Sequence, residues 1–185
     1  MIGGWSVAAA RQPPGYSPAR QTISALAAHG AHDRWVMTAG LAVVGVCHLM
    51  TASGLRSAHA AGRALLALGG AATIAVAALP QPLLSSSPGH TLAAGVAFVA
   101  LSLWPVAAHT SRGSSTVLRL PASATATVVS VALLVVFFLE LHGGHQVGTA
   151  ERLLASGQSL WPIVVTVSLA RRWPNRLPNA MPGDN

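Results

Sequence analysis

Charge is what this chain has least of. Of its 185 residues only 8% are Asp, Glu, Lys or Arg, against about 25% in soluble domains. Lysine is absent and the acidic residues number four. So little charge cannot cover a surface that faces water on every side, which excludes an ordinary soluble domain. Cysteine occurs once, at Cys47. That excludes an intrachain disulfide and leaves no compartment to be read from thiols. Within its apolar run Cys47 reads as a small buried hydrophobe. Glycine-rich phosphate loops, Cys-x-x-Cys pairs and haem-attachment signatures are absent as well, so no cofactor is assigned. A b-type haem needs facing histidines in two spans, and only His48 lies deep in one. The net charge of +7 comes entirely from arginine. These arginines stand singly or in pairs between apolar runs, whereas nucleic-acid patches gather on one face. No nucleic-acid partner is expected.

What the chain has in quantity is apolar surface, 52% of residues, arranged in runs of bilayer length. A helix needs about 20 apolar residues to cross a 30 Å hydrocarbon core. The runs at about 35–55, 64–79, 90–108, 122–141 and 150–170 meet that need. The fold class is therefore all-α: a polytopic transmembrane helical bundle with five full spans. Residues 1–10 are apolar but too few to cross. They read as a short anchor or as the stub of a sixth helix. Pro13, Pro14 and Gly15 break the chain after them. A short interfacial helix is predicted over 19–28, with Ile23, Leu26 and Ala27 on one face. Residues 1–172 read as one bundle domain, and the proline-rich 173–185 as a disordered cytoplasmic tail. Gly69, Thr73 and Ala77 recur every four residues, a row that lets helices approach closely. Pro105 and Pro162 fall inside spans, where they break the backbone ladder.

Arginine alternates between turns. Arg56 and Arg63 flank one, Arg112 and Arg119 lie in another, and Arg171, Arg172 and Arg176 follow the last span. The turns at 80–89 and 142–149 have none. The positive-inside bias places the arginine turns and the C-terminus in the cytoplasm of a multi-pass cell-membrane protein. The opening stretch and the arginine-free turns then face outward, against the weight of Arg11, Arg20 and Arg34, one of which Asp33 offsets.

The outward end collects five of eight histidines and three of four acids. Glu140, near the end of the fourth span, is costly there unless it is paired or reaches water. Snorkelling and pairing with Arg34 or Arg152 are the candidate solutions. His90, His142 and His145 with a carboxylate have the donor chemistry of a zinc site. The alternative is histidines in a water-facing turn. Ser24 with His90 or His29 could form a nucleophile and base, although no Gly-x-Ser-x-Gly elbow supports it. His48 lies roughly 20 Å along the first span from Trp35, taking a rise of 1.5 Å per residue. It fits either a proton path or a bond to a neighbouring helix's backbone.

The order of these groups resembles a known family. Tyr16-Ser-Pro-Ala-Arg-Gln-Thr-Ile-Ser-Ala-Leu26, then Asp33-Arg-Trp35 before a span, then Gly54-Leu-Arg56 are similar to the DUF998 family of bacterial integral membrane proteins. Pro88-Gly-His90 with Gly95 and Phe98, and Glu151-Arg152-Leu153 with Trp161, fit the same pattern. The resemblance covers about 12–172. It implies a six-span architecture whose first helix is cut short in this sequence, and no activity. It singles out Tyr16, Arg20, Ser24, His90, Glu151 and Arg152. With Glu140 these are the candidate ligand-binding residues. Arg20 and Arg152 would contact an anionic lipid headgroup or a partner protein, and Glu151 would orient one of them. Membrane lipids are thus the expected partners, with a partner protein or a second copy of the chain as alternatives. Rival readings are a lipid-acting hydrolase built on Ser24 or on His90, His142 and His145, and a small transporter using His48. Plain pinning of the opening stretch by these same groups is the structural alternative. No residue is assigned as catalytic.

Overall fold

The computed structural model describes residues 1–82, 85, 87–111 and 115–171. Arg112, Arg172, Arg176 and the expected tail at 173–185 lie outside them. Among the described residues the chain is helical, with no strand and one isolated bridge between His29 and Pro82. Its helices are α1 (Ile2–Ala10), α2 (Ile23–Leu26), α3 (Trp35–Gly54), α4 (Ala60–Ala78), α5 (Pro88–Ala107), α6 (Leu120–Gly143) and α7 (Val147–Ala170). A short 3-10 turn covers Thr116–Leu118. The five helices from α3 to α7 are long and apolar enough to cross a membrane.

Local chemistry sets the helix ends. Ser87 Oγ accepts the His90 N–H at the start of α5, and Pro88 occupies a first-turn position where its missing donor does no harm. His59 caps α4 through its ring nitrogen. Because of that cap α4 starts at Ala60, so Arg63 lies in its first turns instead of before it. From there Arg63 Nε donates to the Ala52 carbonyl at 2.8 Å and satisfies the end of α3. The α6 helix runs through His142 to Gly143, so the turn to α7 is shorter than the sequence implies. Pro105 lies inside the continuous α5, and the neighbouring Val106 N–H donates to Thr127 Oγ1 on α6 at 3.0 Å.

The bundle packs around α4, which lies between α3 and α5; α6 packs on α5 and α7, and α1 packs on α3. Close approach needs glycine at specific points. A Cβ on Gly70 would stand 2.8 Å from the Gly45 carbonyl oxygen of α3. One on Gly69 would stand 2.6 Å from Leu101 of α5. The small-residue row foreseen at Gly69, Thr73 and Ala77 is buried, and Gly70 supplies a second contact beside it. The apolar side chains Val128, Phe138 and Leu139 of α6 are exposed on the bundle's outside, where lipid is the natural solvent. Cys47 lies on the exposed outer face of α3 and is not the buried hydrophobe its sequence setting implied.

Two sets of backbone bonds define the bundle's ends. At one, His29 N–H donates to Gln81 O at 2.9 Å and Gly148 N–H donates to Ala19 O at 2.9 Å. This joins the opening stretch, the α4–α5 turn and the start of α7. At the other, His59 N–H donates to Ala108 O at 3.2 Å, joining the α3–α4 and α5–α6 turns.

A Gly70→Val substitution forces α3 and α4 apart and is expected to cost about 1–3 kcal/mol, read as a lower midpoint in a denaturing-detergent titration. Gly95→Ala is the control: its new Cβ meets nothing within 4 Å, and its stability should equal or exceed that of the parent.

Candidate functional site: a clasp over an intrabundle cavity

The opening stretch is backbone without regular structure, lying against the end of the bundle. Such backbone must find hydrogen-bond partners when it is buried. Two adjacent side chains of α7 supply them. The Glu151 carboxylate, 3% exposed, accepts the backbone N–H groups of Ile23 and Ser24. These are the first donors of α2, left free by any helix start, and a negative charge there also suits the helix dipole. Arg152 does the converse. Its Nη1 donates to the carbonyls of Pro18 at 2.6 Å, Gln21 at 2.9 Å and Gly148 at 2.9 Å, and its Nη2 donates to Tyr16 Oη at 2.6 Å. The first N–H groups of α7, from Gly148 and Thr149, close on the Ala19 carbonyl.

This bonding explains why the interfacial helix predicted over 19–28 shrinks to Ile23–Leu26. The carbonyls of Pro18, Ala19 and Gln21, which a longer helix would use internally, are taken by α7. Thr22 then starts the helix, its Oγ1 accepting Ala25 N–H at 3.1 Å. Gly148 is required for the approach, because a Cβ there would run into the carbonyl oxygens of Pro18 and Gln21. Burial raises the Tyr16 phenol above its usual pKa, with Arg152 opposing the shift. Tyr16 therefore stays neutral at physiological pH and meets Arg152 as a hydroxyl acceptor.

Of the sequence-predicted residues, the structure gathers Tyr16, Ser24, Glu151 and Arg152 in this clasp. It places the other three elsewhere. Arg20 is exposed, with no side-chain partner among the described residues. His90 is buried, and its Nδ1 meets the Leu79 carbonyl at 2.8 Å, which ends α4. Glu140 pairs with neither Arg34 nor Arg152: its Oε2 accepts Gln146 N–H at 2.7 Å and closes the α6–α7 turn. Arg34 instead stacks on Trp35, 4.0 Å from the ring centroid, and Arg11 pairs with Asp33 at 3.2 Å. His142 Nδ1 bonds the Phe138 carbonyl of its own helix, and His145 is exposed in the turn. Among the described residues no three His, Cys, Asp or Glu side chains converge as metal ligands.

Beneath α2, between α3, α4, α5 and α7, lies a partly open cavity of about 40 Å³. Ile23, Ser24 and Glu151 line it at the clasped end, and His48, Leu101 and Gln158 line it deeper in the bundle. Most of the wall is apolar. Gln158 Nε2 is held by the Phe98 carbonyl at 2.9 Å and Ser102 Oγ at 3.0 Å. His48 is 4% exposed, and its Nδ1 has no hydrogen-bond partner among the described residues. Sequence reading did not single out Gly148 or Gln158. Nothing local marks that glycine, and a lone glutamine inside a span was the one available signal for the other.

Five membrane-length helices, four of which line an internal cavity, define a multi-pass helical membrane protein. The chain belongs to the DUF998 family, described as a protein of unknown function, whose model matches residues 3–168. No curated protein and no solved structure matches it.

Truncating Arg152 or Glu151 to alanine should free the opening stretch while the five long helices stay folded. Hydrogen bonds to charged groups contribute about 1.5–3 kcal/mol. A loss of about 2 kcal/mol raises the locally open population roughly thirtyfold. Trypsin cleavage after Arg20 in detergent-solubilised protein should accelerate by that order. An unchanged rate would show that other contacts hold the stretch.

Proposed function

We propose that this protein binds an amphipathic, membrane-borne molecule in the cavity beneath α2, with the clasped end of the bundle facing outward and the C-terminus in the cytoplasm. The observation that carries this reading is the cavity itself: an apolar chamber with a few polar groups, covered by a segment held through side chains. That is the usual construction of a small-molecule site. Arg152 already donates from both terminal nitrogens to the opening stretch, so an anionic headgroup would fall to Arg20, three residues before Ile23. Glu151 lines the chamber and disfavours an anion inside it. The apolar part of the ligand therefore enters, and any anionic group stays at the rim.

The hydrolase reading has less support. Ser24 has no hydrogen-bonded histidine, and His90, the candidate base, is turned to the Leu79 carbonyl. The transporter reading draws on the same cavity, which extends from Ser24 to His48, but the packed cluster around Leu66, Leu118 and Val165 closes the bundle toward the other end.

Binding of dodecyl phosphate by nanodisc-embedded protein, followed by thermal shift, tests the proposal. Ala97→Leu, which fills the wall of the cavity, should abolish the shift. Arg20→Ala should weaken binding of dodecyl phosphate several-fold and leave that of an uncharged chain unchanged. Equal binding by the filled variant would defeat the reading. Orientation is checked separately, with Cys47→Ser as background. Cysteines introduced at positions 24 and 146 should both react with an impermeant reagent added outside, and labelling only after the membrane is opened would reverse the assignment.

A further inference from the structure

The deep end of the cavity holds polar capacity that the fold does not use. His48 is more than nine-tenths buried and lines the cavity, and its Nδ1 has no hydrogen-bond partner among the described residues. An unpaired imidazole in an apolar interior costs free energy, and native interiors rarely leave such groups unmatched. Thr73, which also lines the cavity, does not help, because its hydroxyl donates to the Gly69 carbonyl at 2.8 Å. Both donors of the Gln158 amide are directed at Phe98 and Ser102, which leaves its Oε1 as a free acceptor. The floor of the cavity therefore offers one imidazole nitrogen and one amide acceptor.

We propose that His48 and Gln158 form a recognition pair for an uncharged hydroxyl group, so that the molecule taken up by the cavity is an alcohol-bearing amphiphile seated with its hydroxyl inward. This rests on the reading of the cavity as a binding site. A hydroxyl can accept from one imidazole nitrogen and donate to the Gln158 oxygen, which matches what the floor provides. A carboxylate or phosphate would face acceptors and the Glu151 carboxylate along the same chamber. An ammonium group would have to leave water for the middle of a bilayer-spanning bundle, with no carboxylate at that depth to meet it. Gln158 lies seven residues beyond Glu151 on α7, about 10 Å deeper, so the hydroxyl end and the clasped end are separated by the length of a medium alkyl chain.

The test uses full-length protein in nanodiscs, with 1-octanol, octane and octanoate as probes and the midpoint of thermal unfolding as readout. Octanol is expected to raise the midpoint saturably, at concentrations at least tenfold below those needed for octane or octanoate. His48→Phe should erase the preference for octanol over octane. Gln158→Leu serves as a second variant should the first fail to fold, and should reduce the same preference. In wild-type protein labelled with nitrogen-15 at histidine, one buried imidazole should shift with octanol and not with octane. Equal shifts by octanol and octane would overturn the hydroxyl assignment and leave the cavity as an apolar site. An octanol effect that survives Ala97→Leu would be a bilayer effect and would overturn the inference, as would an absence of response to every probe, which would remove the cavity as a site altogether.

Discussion

Everything at the clasped end depends on one constraint: non-helical backbone laid against a membrane bundle must have its N–H and C=O groups met by something other than water. Glu151 and Arg152 meet it as a pair, the acid taking donors and the base taking acceptors. Their adjacency on one helix lets the two charges sit close together while each serves opposite ends of the same segment. Each charge is thereby buried or half-buried with several partners, the condition under which ionisable groups are tolerated near a membrane. The lid over the cavity and the wall of the cavity are in this way parts of one hydrogen-bonded unit.

That arrangement changes the meaning of the arginines. Arg152 presents a guanidinium suited to anions in chemistry and turned in place to the opening stretch, which supplies acceptors to both its terminal nitrogens. Arg20 is exposed on the stretch that Arg152 holds. The cavity below is dominated by aliphatic surface, with a buried histidine and glutamine in its wall. Specificity would then come from uncharged hydrogen bonding at depth, with charge confined to the rim.

Much of the architecture was legible in the residues. The apolar runs, the prolines at helix starts and the small-residue row on α4 follow from bilayer thickness, ring geometry and close packing, which act locally along the sequence. The order of short motifs led to the family. The site was legible only in part. That Tyr16, Ser24, Glu151 and Arg152 would meet could be read from their placement at one end of the spans. What they would bond could not, because their partners are backbone carbonyls and N–H groups that carry no residue identity. The extent of α2 was misread for the same reason: its propensity pattern is helical from Ala19, and a tertiary competitor for the carbonyls cuts it to four residues. For Glu140 the sequence offers snorkelling or an arginine partner, and in the fold its carboxylate accepts a turn N–H. His90 looked available for chemistry, and a single carbonyl at the end of α4 occupies it.

The two consecutive glycines of α4 face different neighbours, Gly69 toward α5 and Gly70 toward α3. Successive residues on a helix point about 100° apart, so turning α4 by one position would swing a larger side chain into a gap that admits only hydrogen. The helix is thus keyed against rotation on two sides at once. Any motion that admits a molecule to the interior has to hinge elsewhere, at the short segments around α2, while the central rod stays fixed like an axle in its keyway.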